Sequence, residues 1–222
     1  MISTRLTAGL VLVAALLTGG CIEVPTNTSD TAAPAAPPPL KAESNAASLR
    51  QALDSLFQEH VMLLAQATDA ALNGRDDDYT AAANHLDHNA RELEGAVRSV
   101  YGEDAGTQFY NLWHTHIGYV VDYTQAVSTK DEAKKNKAMD NMVAYAADMG
   151  DLLSTISNGR MNKEMVADLM RTNLSGVKGV IDAQAAKDYA VAYTTERDAE
   201  KQTFIIGNTW ANAIVDQFPE KY

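Results

Sequence analysis

Five histidines, His60, His85, His88, His114 and His116, are gathered within one 57-residue stretch, and none lies beyond His116. Neutral imidazole is the commonest protein ligand for zinc, copper and iron, so metal binding is the first chemistry this clustering brings forward. The pair His85-x-x-His88 projects two rings to one flank of a helix, which suits an ion held at a seam between helices. His114 and His116 are about 200° apart around a helix and cannot both face one ion, so His116 is retained and His114 set aside. The expected ligand set is His60, His88 and His116. His85, Tyr119, Tyr123 and Asn173 stand as supporting positions, and copper, zinc or iron is the expected cofactor, with haem less favoured. The competing reading makes His60 and His116 hydrogen-bonded core histidines and His85 and His114 surface residues, because no H-E-x-x-H, no Glu-x-x-His pair and no cysteine ligand accompanies them.

What must position these residues is an internal repeat. Leu53-x-x-Leu56-x-x-x-His60-Val61, Phe109-x-x-Leu112-x-x-x-His116-Ile117 and Val166-x-x-Leu169-x-x-x-Asn173-Leu174 align without a gap. In each block the polar residue falls seven and four places after an apolar one, on the inward face of a helix. His60, His116 and Asn173 are therefore expected to form one polar layer in an apolar core. Such a layer needs partners, since an unpaired buried imidazole or amide costs on the order of 1–3 kcal/mol. The third repeat has Asn173 and Lys201 where the first has His60 and His88, so any site is expected to centre on the first two hairpins.

Each block runs on to an aspartate in a polar break, at Asp76, Asp131 and Asp188, after which a second helix begins. Aspartate at such a place caps the free amide groups of a helix start and suits its positive dipole end. The run Asp76-Asp77-Asp78 reads as a cap in this setting, because a calcium loop needs alternating ligands and a glutamate at the twelfth place. From residue 47 the chain carries one proline and long runs of Ala, Leu, Met, Glu, Gln and Lys. The expected fold is all-α, a single antiparallel bundle of three helical hairpins. Its six helices are placed at 47–73, 76–101, 105–128, 131–157, 162–186 and 188–217, with Gly102 and Asn158-Gly159 as breaks between hairpins.

The 222-residue chain has a formal net charge of −11, which opposes binding to nucleic acid. Its first 21 residues combine Arg5, an apolar run from Ala8 to Leu17 and the small residues Thr18-Gly19-Gly20 before the single cysteine, Cys21. This arrangement resembles a bacterial lipoprotein precursor, which implies cleavage before Cys21 and acylation of its sulfur. Residues 22–46 hold five of the six prolines and almost nothing large to bury, and read as a tether. The expected organisation is a signal peptide at 1–21, a tether at 22–46 and a bundle domain at 47–222. The expected location is the cell envelope, lipid-anchored on the extracytoplasmic side, periplasmic or cell-surface. Its partners would be the bilayer, through Cys21, and an envelope protein.

The blocks Leu112-Trp113-x-x-His116-Ile117, Ile181-Asp182-Ala183-Gln184-Ala185-Ala186 and Gln217-Phe218-Pro219-x-Lys221 resemble those of a loosely characterised family of exported bacterial helical proteins. That resemblance implies an exported helical bundle and carries no catalytic motif. No Gly-x-Ser-x-Gly elbow, phosphate loop or dinucleotide fingerprint occurs in the chain. The functional expectation is a non-catalytic lipoprotein whose bundle binds a metal ion or small ligand through inward histidines. Its alternatives are a structural or partner-binding scaffold with a buried polar layer, and a metal-dependent redox protein.

Overall fold

A computed structural model describes residues 45–222 as six helices: α1 (Asn45–Leu72), α2 (Asp76–Tyr101), α3 (Glu103–Thr129), α4 (Glu132–Ile156), α5 (Lys163–Ala185) and α6 (Tyr189–Gln217). The expected signal peptide, Cys21 and nearly all of the expected tether lie outside the described residues. No strand occurs among the described residues, and no helix there is long and apolar enough to cross a membrane. The all-α hairpin architecture is as the repeat predicts, and each helix end lies within two residues of its expected place.

Each helix packs against its neighbours in the chain, and α6 closes back on α1. The odd-numbered helices α1, α3 and α5 also touch one another across the middle. Because the repeat puts its polar residue on the inner face of each odd helix, this arrangement brings the three equivalent positions to the centre.

The repeat extends into the turns. Gly74, Lys130 and Lys187 adopt left-handed φ angles of 64°, 57° and 61°, a conformation that ends a helix. In each turn the next residue donates its backbone N–H to a carbonyl five places back, Arg75 to Ala70, Asp131 to Ala126 and Asp188 to Ala183, all at 2.9 Å. Asp131 Oδ1 then accepts from Lys134 N at 3.0 Å, and Asp188 Oδ1 from Val191 N at 3.2 Å, as caps. The expectation for Asp76 is corrected by the same register. Arg75 holds the capping position there, Asp76 is already the first helical residue, and no side chain caps α2. Arg75 instead bonds Asp69 and Asp78, each at 2.8 Å.

Between hairpins, Gly102 at φ 92° separates α2 from α3, while Asn158 and Gly159 at 51° and 79° end α4. Asn162 caps α5 by accepting from Met165 N at 3.0 Å. Around the central axis Phe57, Phe109, Trp113 and Trp210 make a ring cluster with neighbouring centroids 5.1–5.9 Å apart. The aromatic residues Phe109, Trp113 and Tyr123 of α3 are thus core.

A buried polar layer as candidate functional site

His60 on α1 and His116 on α3 are 3% and 4% exposed, and their Nε2 atoms stand 3.3 Å apart. The distance is that of a hydrogen bond, which requires one ring to donate and the other to accept. Both rings pack against Trp113, at 4.7 Å between centroids, and His116 also stacks on Tyr145 of α4 at 4.6 Å with planes 20° apart.

Burial holds both imidazoles neutral. His60 is lowered to about 4, chiefly by desolvation, with the Asn89 side chain acting in the opposite sense. His116 is lowered well below the ordinary range by desolvation and by His60, against the Trp113 backbone carbonyl, which favours its proton.

The layer is wider than the three positions expected. Position 89 on α2 recurs as Tyr145 on α4 and Gln202 on α6, at the same spacing that relates His60, His116 and Asn173. Asn89 Nδ2 donates to Leu56 O at 2.9 Å and Gln202 Nε2 to Leu169 O at 3.1 Å, the same bond made in the first and third hairpins. The even helices therefore contribute Asn89, Tyr145 and Gln202 to the repeat's polar set. The repeat itself carries the signal for them, one place beyond the expected His88 and Lys201.

That offset explains where the other expected residues go. His88 is on the outer face of α2, its side chain 71% exposed and 3.4 Å from Glu92, so it does not join His60 and His116. Lys201 pairs with Asp198 at 2.7 Å. Exposed His85 lines an open cleft of about 490 Å³ with Asp69, Arg75, Tyr189, Tyr193 and Glu196. His114, also exposed, lies over Tyr110 at 5.5 Å. Tyr119 is half-buried against the core. Tyr123 donates its hydroxyl to Asp182 Oδ1 at 2.8 Å, and its burial and that bond push the phenol up to about 12. It serves Asp182 rather than His116.

Asn173 does belong with the pair. A cavity of about 10 Å³, space for about one water, is lined by His60, His116, Asn173, Tyr145, Trp113 and Met170 among others. Around it several polar atoms are buried without a hydrogen-bond partner: His60 Nδ1, His116 Nδ1, Trp113 Nε1, Tyr145 Oη and Asn173 Nδ2. Buried polar atoms of this kind are what a bound water or another small occupant of the cavity would satisfy. A haem does not fit, because the macrocycle far exceeds the cavity. Among the described residues no group of three or more His, Cys, Asp or Glu side chains is placed to hold a metal ion, so any ion at the pair needs ligands of another type.

The other two sequence blocks also resolve into packing. Gln184 on α5 accepts from Thr68 Oγ1 at 2.8 Å and donates to Ala65 O at 2.9 Å, clasping α5 to α1. Gln217 donates to Ile156 O at 3.3 Å, and Phe218 packs on Tyr101 at 6.0 Å. Comparison of the chain with family models, curated proteins and solved structures finds no significant match, so the function rests on the site alone.

Proposed function

We propose that this is a lipid-anchored, non-catalytic protein of the cell envelope whose helical bundle holds one metal ion or similarly small ligand at the His60–His116 pair. The observation that supports the reading is the pair itself, two neutral, buried imidazoles 3.3 Å apart beside a cavity ringed by unpartnered polar atoms. Anchoring rests on the sequence around Cys21. His88 leaves the ligand set, because its side chain is at the surface.

A second reading has its own support. The Nε2 to Nε2 hydrogen bond satisfies half of each ring without any ligand, as a purely structural layer in a scaffold would. Elemental analysis of the full chain purified in detergent separates the two. One metal per chain, lost in His116→Asn and kept in His88→Asn, supports the site; a folded, metal-free protein in metal-replete cells supports the scaffold. Cys21→Ala tests the anchor, since the variant should leave the detergent phase.

A further inference from the structure

We infer that the His60–His116 pair, completed by Met170, is a three-coordinate site for monovalent copper. The inference rests on the reading of the pair as a ligand site and adds the ion and its third ligand.

Geometry comes first. Two nitrogens each about 2.0 Å from one ion, at the roughly 120° of a three-coordinate centre, stand about 3.5 Å apart. His60 Nε2 and His116 Nε2, at 3.3 Å, are within a few tenths of an ångström of that separation. Met170, on α5 and 4% exposed, lines the same small cavity as the two rings, so a third helix brings a thioether-bearing side chain to the cavity.

The donor set selects the ion. Eleven residues line the cavity, and none is Asp, Glu or Cys. An ion there brings its whole charge into a low-dielectric core, at a desolvation cost that rises with the square of the charge. A divalent ion is thus disfavoured about fourfold more steeply than a monovalent one on this Born scaling. Thioether and imidazole ligands without carboxylate suit a soft ion, and Cu(I) is the soft monovalent ion of the first transition row.

When both rings carry their proton on Nδ1, both Nε2 lone pairs face one another across 3.3 Å, and a cation between them stabilises that state. A direct hydrogen bond between the rings instead needs the proton of one ring on Nε2.

The test is an anaerobic titration of the detergent-purified full chain with Cu(I) against a competing chelator, run beside Zn(II). One Cu(I) per chain is expected, held at least roughly 100-fold tighter than Zn(II), with Met170→Leu weakening Cu(I) roughly tenfold to a hundredfold. Met170→Leu nearly conserves volume, and helical circular dichroism checks that it folds. X-ray absorption of the copper-loaded wild type is independent of any variant and should show one sulfur and two nitrogen scatterers. A nitrogen and oxygen shell alone, or Zn(II) bound as tightly as Cu(I), overturns the Cu(I) and Met170 assignment while leaving the histidine pair as a ligand site. Folded protein that takes up neither ion overturns both.

Discussion

Tyr145 lies flat against His116, its ring centroid 4.6 Å away, yet its hydroxyl is buried without a hydrogen-bond partner. The ring is therefore the useful part of the side chain in the protein alone. Tyr145→Phe should leave stability unchanged or raise it by about 1 kcal/mol, because it removes an unpaired polar group and keeps the stack. Urea unfolding checks this; a loss of more than about 1 kcal/mol would mean that the hydroxyl has a partner in solution.

Acid should weaken the fold through the histidine pair. In the unfolded chain His60 has its ordinary value of 6.5, against about 4 when folded, so the unfolded state takes up a proton first as pH falls. Stability is expected to be flat above pH 7, to decline between about 6.5 and 4, and to level off in this contribution below that, with His60 accounting for about 3 kcal/mol. His116 acts with the same sign. Asp54 and Glu196, both raised mainly by burial, work against the decline at its acid end. A pH series of unfolding curves on wild type and His60→Asn measures the difference; parallel curves would refute the assignment.

Two glycines should respond oppositely to alanine. A Cβ on Gly150 of α4 would stand 2.6 Å from the Lys163 carbonyl oxygen, so Gly150→Ala should cost about 1–3 kcal/mol as α4 and α5 are pushed apart. A Cβ on Gly95 meets nothing within 4 Å, and Gly95→Ala should stabilise α2 by about 0.5–1 kcal/mol. Thermal melts of the two variants decide.

The Thr68–Gln184 clasp should show coupling. Either Thr68→Val or Gln184→Leu leaves the other side chain short of a buried partner, at a cost of about 1–3 kcal/mol. The double variant should cost less than the sum, by about 1 kcal/mol in a double-mutant cycle; strict additivity would refute the clasp.

The capping register is open to the same kind of check. Asp131→Ala and Asp188→Ala should each lose about 1 kcal/mol, while Asp76→Ala, which removes no cap, should lose less. Equal losses at all three positions would return Asp76 to the capping role.

Much of the bundle was legible because helical period and repeat reinforce each other over long windows. The 56- and 57-residue spacings located three hairpins, and the inward register of His60, His116 and Asn173 followed from three-four spacing alone. The second helices were harder to read, since their polar and apolar residues are interspersed and a one-residue offset moves a side chain 100° around the axis. Histidine identity drew the choice to His88, where burial selects its neighbour Asn89. Tyr145 and Met170 carried no recognisable signal as site residues, because a tyrosine or methionine on an apolar stripe looks like filling until a cavity is seen beside it. The Asp76 register failed by the same single place, which a turn without a regular period cannot correct.

The closure of α6 on α1 also bears on connectivity. Asn45 Nδ2 donates to Lys221 O at 3.0 Å and Arg50 Nη2 to Asn212 Oδ1 at 2.9 Å, so the two extremities of the described chain meet at one end of the bundle. The three turns at Gly74, Lys130 and Lys187 share one backbone geometry, and Lys187 Nζ reaches across to Asn73 Oδ1. With three like corners and adjoining ends, the order of the hairpins along the chain is largely a matter of where the ring is cut: a circular permutant joined near Asn45 and Lys221 and opened at Lys130-Asp131 would preserve nearly every contact of the core.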